Sequence, residues 1–243
     1  MTVPEGFELL DLHNHTHRSY DAVNRLEDYA AAHAAGRFDV LAITDHNVIT
    51  GALELAREAP FPVIVGQELD TADGELIGLF LEEAVPPGLS VFETARRIRE
   101  QGGLVYLQHP FYRLIRYQLS SATIDALVAR DLVDIVEVAN GGPFATRANV
   151  LALRWAEARG VPQGAGSDAH EPPDIGTCLV AVPPGPLDAP TLPERLRAGV
   201  IVDRRRGSLA ILATKTRLRL LPAVEGRLRR RPRRSRLPEP PLS

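Results

Sequence analysis

Phe7-Glu8-Leu9-Leu10-Asp11-Leu12-His13-Asn14-His15 is the stretch on which the fold turns. Phe7 to Leu12 reads as a strand, and it runs out into two histidines separated by one residue. Side chains two apart on a strand point the same way, so both imidazoles can reach one ion. A strand that delivers polar donors at its carboxyl end is how barrel enzymes assemble their sites. One H-x-H is weak evidence by itself, so its weight depends on what surrounds it.

Working outward, further short apolar runs read as strands: Asp39 to Thr44, Val63 to Gln67, Glu75 to Leu81, Leu104 to Gln108, Ile135 to Ala139, Gln163 to Gly166 and Thr177 to Val182. Helical patterns lie between most of them. Leu26 to Ala35 stops at Gly36, Gly51 to Ala59 stops at Pro60, and Ser90-Val-Phe-Glu93 reads as a capping box opening a helix that ends at Gly102. Ile124 to Ala129, Ala145 to Arg159 and Leu192 to Ala198 complete the set. Strands separated by helical crossovers imply a parallel sheet, and this many units in roughly 200 residues fit a closed or nearly closed (β/α) barrel. A doubly wound open sheet is the alternative, but no G-x-G-x-x-G follows any strand to support a dinucleotide cleft.

Composition narrows the chemistry. The 243 residues, 44% apolar and 24% charged, suit one well-buried domain. No apolar run approaches the roughly 18 residues that cross a bilayer, and the start lacks the sections of a signal peptide, so no membrane contact and a cytoplasmic location are expected. With Cys178 as the sole cysteine there is no internal disulfide and no thiolate cluster. Any metal must then be held by His, Asp and Glu. Net charge of −3 conceals an asymmetry: residues 204–243 carry 13 bases against two acids, leaving 15 against 29 in residues 1–203. The chain therefore divides into a barrel over 1–203 and an Arg/Pro-rich segment over 204–243, which either holds polyanions electrostatically or stays solvated.

Other strand ends repeat the signal of the first. Thr44-Asp45-His46, Gly66-Gln67-Glu68, His109-Pro110 and Gly166-Ser167-Asp168-Ala169-His170 each follow a run read as a strand, so five of the seven histidines fall just past one. Separately satisfied polar residues would explain any one of these and explain the set poorly.

Asp11-Leu-His-Asn-His-Thr with Ser19-Tyr-Asp21, Ile43-Thr-Asp-His46-Asn, Gly66-Gln-Glu68, Gln108-His109-Pro, Glu137-Val-Ala-Asn140 and Gly166-Ser-Asp168-Ala-His170 resemble, in order, the motifs of the PHP (polymerase and histidinol phosphatase) family, from about Leu9 to Ile201. The resemblance implies a distorted (β/α)7 barrel, TIM-barrel-like, that binds two or three divalent metals and hydrolyses phosphoesters. It implies one metal on His13, His15, Glu68 and Asp168, a second sharing Glu68 and taking His109, and a third on Asp21, His46 and His170. His13, His15, Glu68, Asp168 and His170 are the expected catalytic set.

The residue types make independent sense of this. A carboxylate with two oxygens can bridge, and imidazole with carboxylate suits Zn, Mn or Fe(II) better than Mg alone. No G-x-S-x-G or catalytically placed Cys supplies a nucleophile, which agrees with metal-activated water. Where some relatives carry His ahead of the fourth strand this chain has Glu75, a candidate ligand of the second metal or a solvated carboxylate. Asn140 is either a further ligand through its amide oxygen or the fixer of a turn before Gly141-Gly142. Arg113 and Arg116, and less strongly Arg18, are candidate phosphate clamps. Asp45 and Asn47 read as hydrogen-bond partners, His17 and His33 as outside the set, and Trp155 as packing a helix.

The expected activity is metal-dependent hydrolysis of a small phosphomonoester, nucleotide or oligonucleotide end. A metal-binding regulatory or nucleic-acid-tethering module is the non-enzyme rival. A metal-dependent amidohydrolase would want a bridging carboxylated Lys inside the barrel, and the single lysine, Lys215, lies beyond it.

Overall fold

The computed structural model describes residues 3–112, 117–205, 207 and 209. Among them the chain forms, in order, β1 (Glu8–Asp11), α1 (Leu26–Ala34), β2 (Val40–Ile43), α2 (Thr50–Glu58), β3 (Val63–Asp70), β4 (Glu75–Leu79), α3 (Val91–Glu100) and β5 (Leu104–Leu107). It continues through α4 (Ser121–Ala129), β6 (Ile135–Asn140), α5 (Thr146–Arg159), β7 (Gln163–Gly166), β8 (Cys178–Val182), α6 (Leu192–Arg197) and β9 (Val200–Asp203). All nine strands join one sheet in the order β7-β6-β5-β4-β3-β2-β1-β8-β9.

The first seven strands curl into a nearly closed barrel. Leu12 N donates to Ala165 O at 3.0 Å and Asp168 N to His13 O at 2.8 Å, bringing the end of β7 back beside the end of β1. That closure places His13 and Asp168 side by side although 155 positions separate them in the chain.

Two departures from a uniformly parallel sheet have local causes. β4 runs antiparallel to both β3 and β5. It follows β3 through a tight turn in which Thr71 Oγ1 accepts from Asp73 N and Gly74 N, each at 3.1 Å, far too short for a parallel crossover. β9, which the apolar pattern did not announce, pairs antiparallel with β8, and β8 pairs antiparallel with the start of β1, extending the sheet past the barrel.

Strand alternation sorts the core into two layers. Leu10, Leu12, Ala42, Ile64, Ile77 and Tyr106 cluster together, while Leu41, Ile43, Val105, Leu107 and Val136 pack with the helices. Each of the Leu, Ile and Val side chains contributes about 1.5–3 kcal/mol when fully buried. The capping box at Ser90 is half realised: Ser90 Oγ accepts from Glu93 N at 3.2 Å, but the Glu93 carboxylate turns to Arg96 and Arg97. No described helix is long and apolar enough to cross a membrane.

Candidate metal centre

Just beyond β1, His13 and His15 point to the same side, as their spacing requires, and their Nε2 atoms are 3.1 Å apart. Glu68 Oε2, from β3, stands 3.3 Å from each of them. Asp168 Oδ1, two residues past β7, stands 3.7 Å from His13 Nε2 and 3.3 Å from His15 Nε2. Four ligands about 2.0–2.1 Å from a tetrahedral ion are separated by about 3.3–3.4 Å, the scale of these five separations.

Glu68 faces two ways. While Oε2 looks at His13, His15 and His46 Nδ1 (3.4 Å), Oε1 lies 3.3 Å from His109 Nε2 and accepts from Gln108 Nε2 at 3.1 Å. His13, Glu68 and His109 form a second group whose donor atoms lie within 4.8 Å of one another. Nearby, Asp21 Oδ2 sits 3.6 Å from His46 Nε2 and 3.3 Å from His170 Nε2. His15, His46 and His170 make a third group, and His46, Asp70 and Glu75 a fourth, each within the same 4.8 Å limit. All eight residues expected as ligands therefore converge on one rim, with Glu75 beside them and Asp70 added.

The supporting contacts fix which ring nitrogen is presented. His13 Nδ1 meets Glu137 Oε1 at 3.1 Å, His15 Nδ1 meets Ser19 Oγ at 3.2 Å, and His170 Nδ1 meets the Asp168 carbonyl oxygen at 2.8 Å. The carboxylate and carbonyl acceptors hold a proton on Nδ1 of His13 and His170, and Ser19 Oγ can accept one from His15, so Nε2 is the atom each ring turns to the centre. Buried Asp21 Oδ1 and His109 Nδ1 have no hydrogen-bond partner among the described residues. Such a donor set, with its lone pairs aimed inward, fits divalent ions.

Glu137 organises more than His13. It accepts from Tyr106 Oη at 3.1 Å, His109 N at 2.7 Å and Asn140 Nδ2 at 3.0 Å. Asp11 accepts from Ser167 N, Ser167 Oγ and Gly176 N, holding the loop that carries Asp168. His109 (φ 27°) and Asp168 (φ 50°) adopt left-handed backbone conformations rare for non-glycine residues, re-aiming their side chains where the strands end. Gly166 is required by close approach: a Cβ there would lie 2.2 Å from His13 Cβ.

Charge in the centre is strongly coupled. Burial opposes a proton on His46, yet Glu68 and Asp21 beside it raise its pKa to about 10. The same contest, with Glu137, Glu68 and Asp168 prevailing, raises His13 well above the usual imidazole value. Burial and neighbouring His170 push His15 down to about 3. Asp21 and Glu68 resist burial and stay well below the carboxylate range because imidazoles surround them. Burial, with Glu68 next, lifts Glu75 to about 7. Without cations, then, protons on His13 and His46 balance the carboxylates.

Other residues singled out from sequence sit as follows. Asn140 Oδ1 accepts from Gly142 N at 2.8 Å and its Nδ2 is 3.4 Å from Asp168 Oδ2, so it ties the β6 turn to Asp168. Asp45 takes Thr16 N and Oγ1 at 2.6 and 2.7 Å, and Asn47 pairs with Asp70. Arg18 is clamped by Glu54 at 3.0–3.1 Å on the surface. His17 joins none of the donor groups, and His33 packs on Phe38 and Phe61. Trp155 packs edge-on to Phe111 beneath Arg159. Arg113, Arg116 and nearly all of the 204–243 segment lie outside the described residues. Sequence reasoning gave Glu137 a place in a motif and no role. Its signal was a charge inside the apolar run Ile135 to Ala139, which must be satisfied when buried.

Fold and site together define a barrel protein with clustered His, Asp and Glu side chains able to hold divalent metal at the carboxyl ends of its strands. The chain belongs to the PHP family: residues 11–129 match the PHP domain and residues 146–201 the PHP-associated region. An uncharacterized protein of Methanocaldococcus jannaschii is 38% identical over 144 residues, covering 58% of this chain and 56% of that relative. The chain spans about half the length of the curated relatives it matches. A solved two-domain protein from Bacteroides vulgatus, described as containing a predicted PHP-like metal-dependent phosphoesterase, superposes with a TM-score of 0.66 at 18% identity, covering 89% of this chain and 72% of that one. An amidohydrolase from Chromobacterium violaceum, solved with sulfate and no metal, gives 0.52 at 17% identity over 85% and 96% of the two chains. At these identities the likeness is one of fold.

Proposed function

We propose that this protein is a metal-dependent phosphoesterase using water as nucleophile on a small phosphomonoester, a nucleotide or an oligonucleotide end. The observation that carries the reading is Glu68, whose two oxygens face two different sets of imidazoles at 3.3 Å. A carboxylate so placed suits a bridge between neighbouring cations.

On this reading His13, His15, Glu68 and Asp168 hold one ion, Glu68 and His109 with Glu75 a second, and Asp21, His46 and His170 a third. Zn, Mn or Fe(II) suits the mixture of imidazole and carboxylate. Ions in such sites acidify water and neutralise phosphate oxygens. The protein's part is positional: Glu137, Ser19 and the Asp168 carbonyl hold three imidazoles in the right tautomer, and Asp11 holds the Asp168 loop. Asp21, Asp168 and His170 are the partly exposed members, with side chains 10–23% accessible, so the ester enters past them. The water oxygen bonds to phosphorus as the bond to the departing ester oxygen breaks, and that oxygen leaves protonated.

The amidohydrolase alternative lacks its bridging lysine, since the single lysine, Lys215, falls after the last strand in the sequence. The Arg-rich 204–243 segment is assigned a separate polyanion contact, so the tethering reading differs in turnover. The test is hydrolysis of phosphomonoesters, phosphodiesters and short oligonucleotides by the full chain with Mn or Zn. Turnover that is lost in His13→Ala and Asp168→Ala is expected. Metal-loaded protein that binds oligonucleotide and hydrolyses nothing would replace this reading with the tethering one.

A further inference from the structure

Of the five imidazoles in the centre, His13, His15 and His170 are held from behind at Nδ1, and His109 pairs through Nε2 with Glu68. His46 is held in neither way. Its buried Nδ1 lies 3.4 Å from Glu68 Oε2 without forming a hydrogen bond to any described residue. Its Nε2 stands 3.6 Å from Asp21 Oδ2, beyond hydrogen-bond length. A ligating ring must nevertheless keep one plane, since rotation about its χ2 would swing both nitrogens away from their carboxylates. Something other than a hydrogen bond sets that plane.

The ring is packed against other rings. His46 stacks on His15 with centroids 4.7 Å apart and planes at 23°, and on Tyr20 at 4.9 Å and 27°. His15 is fully buried, whereas Tyr20 is half-buried in the turn that follows His15. Neighbours on both sides fix where Tyr20 stands. Ser19 Oγ accepts from His46 N at 2.9 Å and meets His15 Nδ1 at 3.2 Å, while Asp21 Oδ2 faces His46 and His170. The phenol is therefore carried between two residues that serve the centre, in a turn tied to the backbone of the very residue whose ring it covers.

We infer that Tyr20 is a positioning residue for the third ion, fixing the plane of His46 by stacking on it. The inference rests on the three-ion reading above and adds a residue to it. Offset-parallel packing is a preferred arrangement of aromatic faces, at centroid separations of about 4.5–7 Å. An imidazole that gives its lone pair to a cation becomes electron-poor, so the electron-rich face of a phenol attracts it more strongly than it attracts the free ring. Stacking and ligation then favour each other. The ring carries this effect and the hydroxyl does not, so phenylalanine serves in its place and an aliphatic side chain fails.

The experiment follows stepwise Mn binding to the full chain, by calorimetry and by the electron paramagnetic resonance of unbound Mn, in the wild type, Tyr20→Leu, Tyr20→Phe and Asp21→Asn. Asp21→Asn removes a ligand of the third ion and so marks the step that belongs to it. Tyr20→Leu should weaken that same step by about tenfold and leave the others within about twofold, and Tyr20→Phe should restore it to within about twofold of the wild type. In the metal-free chain, nuclear Overhauser contacts between the His46 and His15 rings should persist in Tyr20→Phe and fade in Tyr20→Leu. A Tyr20→Leu variant with the marked step unchanged overturns the inference. So does one in which every step weakens together, since the turn has then failed and not the stack. A Tyr20→Phe variant as weak as Tyr20→Leu overturns it too, because the hydroxyl then carries the effect. If Asp21→Asn alters no step, the three-ion reading fails instead. The ring contacts of the metal-free chain then decide whether Tyr20 sets His46, and their full retention in Tyr20→Leu overturns that as well.

Discussion

His13 Nδ1 and Glu137 Oε1 meet at 3.1 Å with both side chains fully buried, joining the residues just past β1 to the middle of β6 over Gly166 of β7. This contact sets the direction of the His13 Nε2 lone pair. A carboxylate behind an imidazole also raises its basicity and therefore its strength as a ligand.

Glu137→Gln keeps the shape and removes the charge. Metal affinity, measured by competition with a chelating dye, should fall by about 10- to 100-fold with the fold retained. Unchanged affinity would mean that the backbone alone positions His13.

The metal-free protein should lose stability as pH rises from about 6.5 to 10. His46 binds its proton more tightly folded, with a pKa near 10, than unfolded, near 6.5, so its contribution is complete below 6.5 and disappears as pH passes through 10. His13 acts in the same direction, and the opposing shift of His15, from 6.5 to about 3, is already complete at 6.5. Urea midpoints in chelator at pH 6.5 and 9 check this. A higher midpoint at 9 would contradict the charge balance described above.

Binding of metal near pH 7 should release at least two protons, from His13 and His46, with His109 and Glu75, whose pKa values are also raised, adding to the count, because ligating groups must be deprotonated. Calorimetry in buffers of different ionisation enthalpy measures the number. No release would show that both rings are already deprotonated in the metal-free chain.

Gly166→Ala places a methyl group 2.2 Å from His13 Cβ and 2.6 Å from Glu137 Oε1. The strain should cost about 1–3 kcal/mol of stability, read from thermal unfolding, and should weaken metal binding as well. An unaltered midpoint would show that β7 yields more readily than its hydrogen bonds to β1 suggest.

Much of this was legible in the chain. His13 and His15 were readable because a strand's period of two fixes their common side, and His46, Glu68, His109, Asp168 and His170 because each follows an apolar run that must end at the same rim. The antiparallel direction of β4 was not read because apolar content reports burial and not direction, and the short Thr71–Gly74 turn held that information instead. β9 is four residues following a short helix, too little for periodicity to register. Glu137 and Asp70 act through contacts made only when distant strands come together, so no spacing along the chain could assign them.

The central claim is that His13, His15, Glu68 and Asp168 share one cation. Anomalous diffraction from crystals of the full chain soaked in Mn or Zn tests it most directly. The account predicts a peak bonded to His13 Nε2, His15 Nε2, Glu68 Oε2 and Asp168 Oδ1, with a second near His109 and the other Glu68 oxygen. Full soaking that leaves those four atoms without a shared peak, with ions bound elsewhere on the protein, would contradict it.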